Sequence, residues 1–250
     1  VDSLSKRTGH IEPPINIRLK PTNICNHKCR YCAYGHGDNS TELFQKDEME
    51  QRDFIPKDKM MSIIDDVIDM GVKAITFSGG GEPLSYKYML DVLKKLSKSN
   101  VKFSTLTNGS LLRSEVAKLF AIHGTWVRVS MDGWDDKSYS DYRGVRDGEY
   151  TKIMNNMKEF KKHEGSCHLG VSLIIDKDNA PHVYDMIARL KSIGVDSVKL
   201  SPCLMSDKLE DSNAHHKLIF NEVEKQVEKA NCDLVDSSFE IFNSYVELTE

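Results

Sequence analysis

The sequence has no apolar run approaching the roughly 20 residues that a membrane-spanning helix needs, no surplus of basic residues and no secretory signal. These absences exclude several classes of function. Without a spanning segment the expected address is cytoplasmic, and a formal net charge of −4 over 250 residues gives no global basic surface for nucleic acid. Cysteine is scarce outside one stretch: of the 6 present, Cys25, Cys29 and Cys32 are clustered and Cys167, Cys203 and Cys232 are scattered. A reducing compartment keeps such thiols free for metal rather than paired as disulfides. At 39% hydrophobic and 29% charged residues, the composition fits a single α/β domain large enough to bury a core. The chain begins at Val1 rather than methionine and ends at Glu250 in a mixed polar and apolar stretch, as expected of a piece of a longer protein.

What is present is a repeating order of elements. Apolar, β-branched runs at 15–19, 72–77, 101–107, 126–131, 168–175 and 195–200 read as strands, each followed by a helical pattern. Pro56 opens the first helix, which runs to about Met70 and stops at Gly71, with proline in the first turn and glycine beyond the last. Further helices are expected over 86–99, 112–122, 148–163, 180–193 and 211–230. Six βα units in series predict an α/β fold, a partial TIM-like (β/α)6 barrel whose functional groups collect at the strand C-termini. The expected division is an N-terminal extension over 1–14, a barrel core over 15–205 and, over 206–250, a C-terminal helix leading towards a further extension. Within the core, a cluster loop spans 21–37 and a long polar, lid-like loop spans 38–55.

The clustered cysteines follow the first strand with the spacing C-x3-C-x2-C. Three thiolates hold three irons of a 4Fe-4S cube and leave the fourth open for an external ligand, whereas electron-transfer ferredoxins use four. A structural zinc site usually closes with a second C-x2-C or paired histidines; His27 and His36 flank the triplet without completing such a spacing. Alone, the triplet leaves a catalytic cluster and a zinc- or cluster-bearing binding module both open. The next three strand ends are polar as well: Ser78-Gly79-Gly80-Gly81-Glu82-Pro83, Thr107-Asn108-Gly109 and Ser130-Met131-Asp132-Gly133. Any one of these reads as an ordinary βα turn. Together with the cysteines, on one rim, they point to a shared site.

From Ile15 to about Pro202 the chain resembles the radical S-adenosylmethionine superfamily. Three segments carry the resemblance: the cysteine triplet with Tyr31 in the aromatic place before Cys32, Gly80-Gly81-Glu82-Pro83, and Val129-Ser130-Met131-Asp132-Gly133 followed by Tyr142-Arg143-Gly144. The resemblance implies a 4Fe-4S cluster on Cys25, Cys29 and Cys32, with S-adenosyl-L-methionine on the open iron. It implies further that Tyr31 lies near the adenine and that Gly80, Gly81, Glu82 and Pro83 hold the methionine amino group. Ser130 and Asp132 then approach the ribose hydroxyls and Arg143 the methionine carboxylate, with Asn108 in the same pocket and Ser172 and Leu200 in the adenine wall. The residue types suit these tasks, since glycines admit a ligand close to the backbone and an arginine fork pairs with a carboxylate. The implied reaction is one-electron cleavage of the cofactor to methionine and a 5′-deoxyadenosyl radical that takes hydrogen from a substrate. Flavodoxin or ferredoxin is the expected electron donor. The strand-four segment and Arg143 resemble members with a C-terminal twitch or SPASM-type domain, among them peptide maturases and small-molecule dehydrogenases. A member that binds the cofactor without turnover is the alternative within the family.

Asn16, Arg18 and Lys20 share one face of the first strand, Arg128 and Ser130 one face of the fourth, and Lys199 and Ser201 one face of the sixth. If these faces line the barrel, the lumen is cationic and the expected substrate is an anionic small molecule or peptide, because an unpaired buried cation is costly. The opposing reading pairs these charges with internal acids or with water. Cys203, directly after strand six, is a candidate hydrogen-atom donor, against the reading of a buried unreactive thiol. The three scattered cysteines show no tight pair and do not suggest a second cluster. His215 and His216 are adjacent rather than four apart and make a poor metal pair.

Overall fold

The computed structural model describes residues 12–32, 34, 50–204 and 209–245. One parallel sheet organises them, in the order β1 (Asn16–Leu19), β2 (Ala74–Phe77), β3 (Lys102–Thr107), β4 (Trp126–Ser130), β5 (His168–Ile175), β6 (Ser197–Pro202) and β7 (Glu240–Asn243). Parallel neighbours need crossover connections, and helices supply them. They are α1 (Lys57–Asp69), α2 (Met89–Leu96), α3 (Ser114–His123), α4 (Asp136–Arg143), α5 (Glu149–Phe160), α6 (Val183–Ser192), α7 (Leu209–Lys217) and α8 (Phe220–Leu234). Among the described residues β1 pairs only with β2 and β7 only with β6, so the sheet curls without closing. No helix of the described residues is long and apolar enough to cross a membrane.

Alternation along the strands decides which face meets the helices. Ile75, Phe77, Phe103, Val127, Val129, Leu169, Val171, Leu173, Val198 and Leu200 are at most 1% exposed and form the core with the helices. Burying each is worth roughly 1.5–3 kcal/mol. A one-residue slip would turn this whole set to the other side, so the register is fixed. The intervening Thr76, Leu106, Arg128, Ser130, Ser172, Ile174 and Lys199 share the second face and stay half-buried. α1 shows the matching helical logic: Met60, Ile64 and Val67 are buried on one stripe, Pro56 precedes it, and Gly71 follows with φ +76°.

Three elements depart from the sequence-based expectation. A seventh strand, β7, extends the sheet beyond β6; its four residues are too few for a periodic signal. The expected helix over 211–230 is two helices, α7 and α8, separated by Leu218 and Ile219. α4 was not expected, because its mean composition is polar. A capping box, in which the Asp135 carboxylate accepts from the Ser138 N–H and the Ser138 hydroxyl from the Asp135 N–H, starts it, and Gly144 (φ +58°) ends it. Most of the loop expected over 38–55 lies outside the described residues. Its end returns to the core, where Thr22 bridges Phe54 and the Ile55 N–H donates to the Pro21 carbonyl.

Candidate active site

The loop after β1 is tied down on two sides. On one side the Gly81 N–H donates to the Thr22 carbonyl (3.1 Å) and the Glu82 N–H to the Ile24 carbonyl (2.9 Å). A Cβ at position 81 would lie 2.2 Å from the Ile24 oxygen, so glycine is required there by the crossing of two loops. On the other side the Lys28 and Arg30 N–H groups donate to the carbonyls of Arg143 (2.8 Å) and Tyr142 (3.1 Å), at the end of α4. Gly144 permits that contact, since a Cβ would sit 2.6 Å from the Lys28 oxygen. The Arg30 guanidinium adds a longer tie: it donates to Asp176 (2.6 Å) and Asp178 (2.8 Å) past β5 and stacks 3.8 Å over the Tyr142 ring. The Tyr142 hydroxyl donates to the same Asp176 at 2.5 Å.

These ties bring Cys25, Cys29 and Cys32 to one wall of a cleft of about 290 Å³ at the C-terminal ends of the strands. Tyr31, Gly79 to Pro83, Asn108, Ser130 and Arg143 line it with them, as do His27, Tyr34, Leu106, Thr107 and Ile174. Of the residues singled out from sequence, Asp132, Ser172, Leu200 and Cys203 are not in the lining, nor are Asn16, Arg18, Lys20, Arg128, Lys199 and Ser201. Leu200 is a correction: it is fully buried on the helix side of β6, behind the sheet rather than in a wall facing the cleft. Ser172 is on the open face, one strand from Ser130.

Asp132 lies behind the cleft, with no exposed surface. Its carboxylate accepts from the Tyr31 hydroxyl, from the Arg143 guanidinium and from the Ile174 N–H (2.6 Å). Burial pushes this carboxyl up, while Arg143 and the Ile174 N–H act against that. Burial likewise works against the Arg143 charge, and Asp132 more than offsets it, so the guanidinium stays charged. Arg143 also reaches the cluster loop, where one amino group lies 3.3 Å from Cys29 Sγ. Its Nε is buried without a partner.

Glu82 is 3% exposed and accepts from the Leu84 N–H (3.0 Å), the Thr107 hydroxyl (2.6 Å) and the Asn108 N–H (2.7 Å). It thereby caps the 3-10 turn Pro83–Ser85 and fastens the glycine loop to the end of β3. Burial pushes its carboxyl up against those three bonds. Burial also pushes the Cys25 thiol up to about 12 and raises Cys29 despite Arg143, so as free thiols both are protonated at neutral pH. Cys203 is 6% exposed, is likewise pushed up to about 12 by burial, and donates its N–H to the Ile175 carbonyl.

Sequence reasoning missed His27 as a lining residue. It is 1% exposed, neither ring nitrogen has a hydrogen bond, and the nearest carboxylate, Glu149, is 3.9 Å away. Burial, with Arg143 nearby, lowers it to about 3, so it is neutral. Asn26 was missed too: it donates to Ser110 (2.9 Å) and accepts from Asn108 (2.8 Å), joining the cysteine loop to the end of β3. Its place between two ligand-spaced cysteines was the available signal.

The description "Radical SAM superfamily" matches residues 19–190, more than half of the chain, and the protein belongs to that superfamily. Among curated proteins it is similar to a probable GTP 3′,8-cyclase of Sulfurisphaera tokodaii, 26% identical over 187 residues, covering 74% of this chain and 55% of that protein. It is also similar to a cysteine-type anaerobic sulfatase-maturating enzyme of Clostridium novyi, 22% identical over 218 residues, covering 83% of this chain and 55% of that one. The chain thus spans about half the length of these relatives. Among solved structures, Streptococcus suis SuiB bound to precursor peptide SuiA superposes with a TM-score of 0.69 at 16% identity, covering 96% of this chain and 51% of SuiB. Native anSMEcpe with bound AdoMet gives 0.61 at 21% identity, covering 87% of this chain and 63% of that one.

The cofactors of the superfamily are a 4Fe-4S cluster and S-adenosylmethionine. The residues present fit them: three thiols on one cleft wall, a buried guanidinium touching one of them, and buried polar nitrogens of His27 and Arg143 with no partner inside the protein. Among the described residues no three His, Cys, Asp or Glu side chains are gathered to hold a single metal ion.

Proposed function

We propose that the protein is a radical enzyme that binds a 4Fe-4S cluster through Cys25, Cys29 and Cys32 and S-adenosylmethionine in the adjoining cleft. The observation that carries this reading is the meeting of the three thiols, the Gly79 to Pro83 loop and Ser130 on one cleft at the strand C-termini. When bound, these cofactors supply a one-electron cleavage that yields methionine and a 5′-deoxyadenosyl radical, which takes a hydrogen atom from the substrate.

The chain's own residues bind, orient and shield. Arg143, kept charged by Asp132, offers hydrogen-bond donors beside Cys29 and is the candidate for the methionine carboxylate. Asp132 acts through Arg143 and Tyr31, which it orients, while Ser130 faces the ribose. Glu82 and Asn108 hold the glycine loop and the end of β3 together beside the methionine amino group. Tyr31, Leu106 and Ile174 give the cleft aromatic and aliphatic walls that exclude water near the adenine. Cys203, a protonated thiol past β6, is the candidate hydrogen-atom donor. Relatives modify peptides or cofactors, which supports an oxidoreductase-type hydrogen abstraction from such a substrate. The electron donor is of the flavodoxin or ferredoxin kind.

The test is anaerobic reconstitution with iron and sulfide, reduction, addition of S-adenosylmethionine and quantification of 5′-deoxyadenosine beside Cys29→Ala. Deoxyadenosine from the parent and none from the variant is expected. A parent with a complete cluster and no deoxyadenosine would contradict turnover, and bound zinc in place of iron would favour a binding module.

A further inference from the structure

We infer that the open face of the sheet below the cleft is an oxyanion site, in which Arg128 and Lys199 bind a carboxylate or phosphate of the substrate. This rests on the reading of the cleft as the radical-generating site. The register puts Ser130, Ser172, Lys199 and Phe242 in one row across β4 to β7 and Leu106, Arg128, Gly170, Ser197 and Glu240 in the row below. With strands about 4.8 Å apart and residues rising about 3.3 Å, Lys199 lies roughly 10 Å across from Ser130, and Arg128 roughly 7 Å beneath it. Ser130 and Leu106 line the cleft; Arg128 is level with Leu106 on the neighbouring strand, and Lys199 lies two strands from Ser130.

Gly170 carries no side chain, and a Cβ there would lie 3.0 Å from Ser197 Oγ and 3.7 Å from Arg128 Nε, so the guanidinium and the Ser197 hydroxyl lie over the glycine. Both cations are half-buried, and among the described residues neither has a carboxylate partner; Arg128 has only the Trp126 ring, 5.6 Å away. Arg18 and Lys102 occupy the same face, so among the described strand residues four Lys and Arg side chains share it with one acid, Glu240, exposed on β7. That is an excess of positive charge inside a chain whose net charge is −4. An arginine fork and a lysine point charge on one face of the sheet suit an oxyanion, whose negative charge would neutralise them. Phe242, 46% exposed beside Lys199, offers an apolar wall for the rest of the molecule.

The experiment uses the full chain with reconstituted cluster and saturating S-adenosylmethionine. Calorimetric titration with pyrophosphate and, separately, with glutarate is run on the parent, Arg128→Met, Lys199→Met, Lys199→Arg and, as a charge control, Lys94→Met on α2. Millimolar or tighter binding of at least one anion is expected, weakened at least tenfold in both methionine variants, within threefold of the parent in Lys199→Arg and unchanged in Lys94→Met. Preference for pyrophosphate assigns a phosphorylated substrate and preference for glutarate a carboxylated one. No binding of either anion to the loaded parent, or equal losses in Lys94→Met, overturns the oxyanion site. Failure of the parent to take up cluster and S-adenosylmethionine is read separately, on iron content and deoxyadenosine, and sinks the underlying reading instead.

Discussion

At the rim of the sheet the two arginines that tie down the cysteine loop are matched by acid: Arg143 meets Asp132, and Arg30, within the loop, meets Asp176 and Asp178. Two residues back along β4, and level with Ser130 on β6, Arg128 and Lys199 have no such partner among the described residues. The rim charges are therefore part of the fold, holding a loop in place before any ligand arrives. The floor charges contribute little to folding and are available to a ligand. A buried pair is costly to break because one partner is left uncompensated, whereas an unpaired, partly hydrated cation loses little on removal.

The largest effect is expected from Asp132→Ala, which strands the Arg143 guanidinium and leaves the Ile174 N–H and Tyr31 hydroxyl without an acceptor. Urea unfolding should show a loss of about 3–5 kcal/mol, much of it restored by replacing Arg143 with methionine in the same chain. A loss under about 1 kcal/mol would erase the distinction between rim and floor. Next comes Glu82→Ala, which leaves three buried donors unsatisfied. At about 1–3 kcal/mol for an unsatisfied buried group, with partial relaxation, roughly 2–4 kcal/mol should be lost. Glu82→Gln should keep part of that stability, since its amide oxygen still accepts.

Arg30→Met probes the boundary of the comparison, because its side chain is 34% exposed although doubly paired. Solvent screening reduces the expected loss to about 1 kcal/mol, read as a shift in the urea midpoint, with slower cluster uptake as the loop loosens. A smaller, pH-dependent effect comes from His216, whose ring nitrogens meet the Cys203 carbonyl (2.7 Å) and the Tyr245 hydroxyl (2.8 Å). Burial, against the bond to the Cys203 carbonyl, holds it below the ordinary histidine value of 6.5. Below pH 6.5 the unfolded chain takes up a proton that the folded protein resists, so stability is full above that pH and falls below it, by at most about 1.4 kcal/mol per pH unit. Unfolding curves from pH 7.5 to 5 should show a flatter dependence in His216→Gln; an identical slope would remove His216 from the groups that hold the fold.

The cysteine spacing, the glycine loop and α1 were legible in the sequence because each is a local pattern: ligand spacing, chain punctuation and a 3.6-residue stripe closed by Gly71. Parity along β6 was legible as well. Lys199 and Ser201 on the open face require Leu200 on the other, and assigning Leu200 to the cofactor wall overlooked this. What the sequence could not show was pairing. Asp132 reads as a residue beside a ligand until tertiary structure brings Arg143 and Tyr31 to its carboxylate, and Glu82 until Thr107 and Asn108 arrive. α4 and β7 were hidden for another reason, since helices and strands this short take their stability from contacts rather than from periodicity.

The most direct test of the account is the unfolding free energy of the Arg128→Met, Lys199→Met double variant, measured beside Asp132→Ala. A value within about 1 kcal/mol of the parent is expected, since surrendering unpaired cations breaks no bridge. A loss of about 3 kcal/mol or more, matching Asp132→Ala, would contradict it and return the floor charges to the fold.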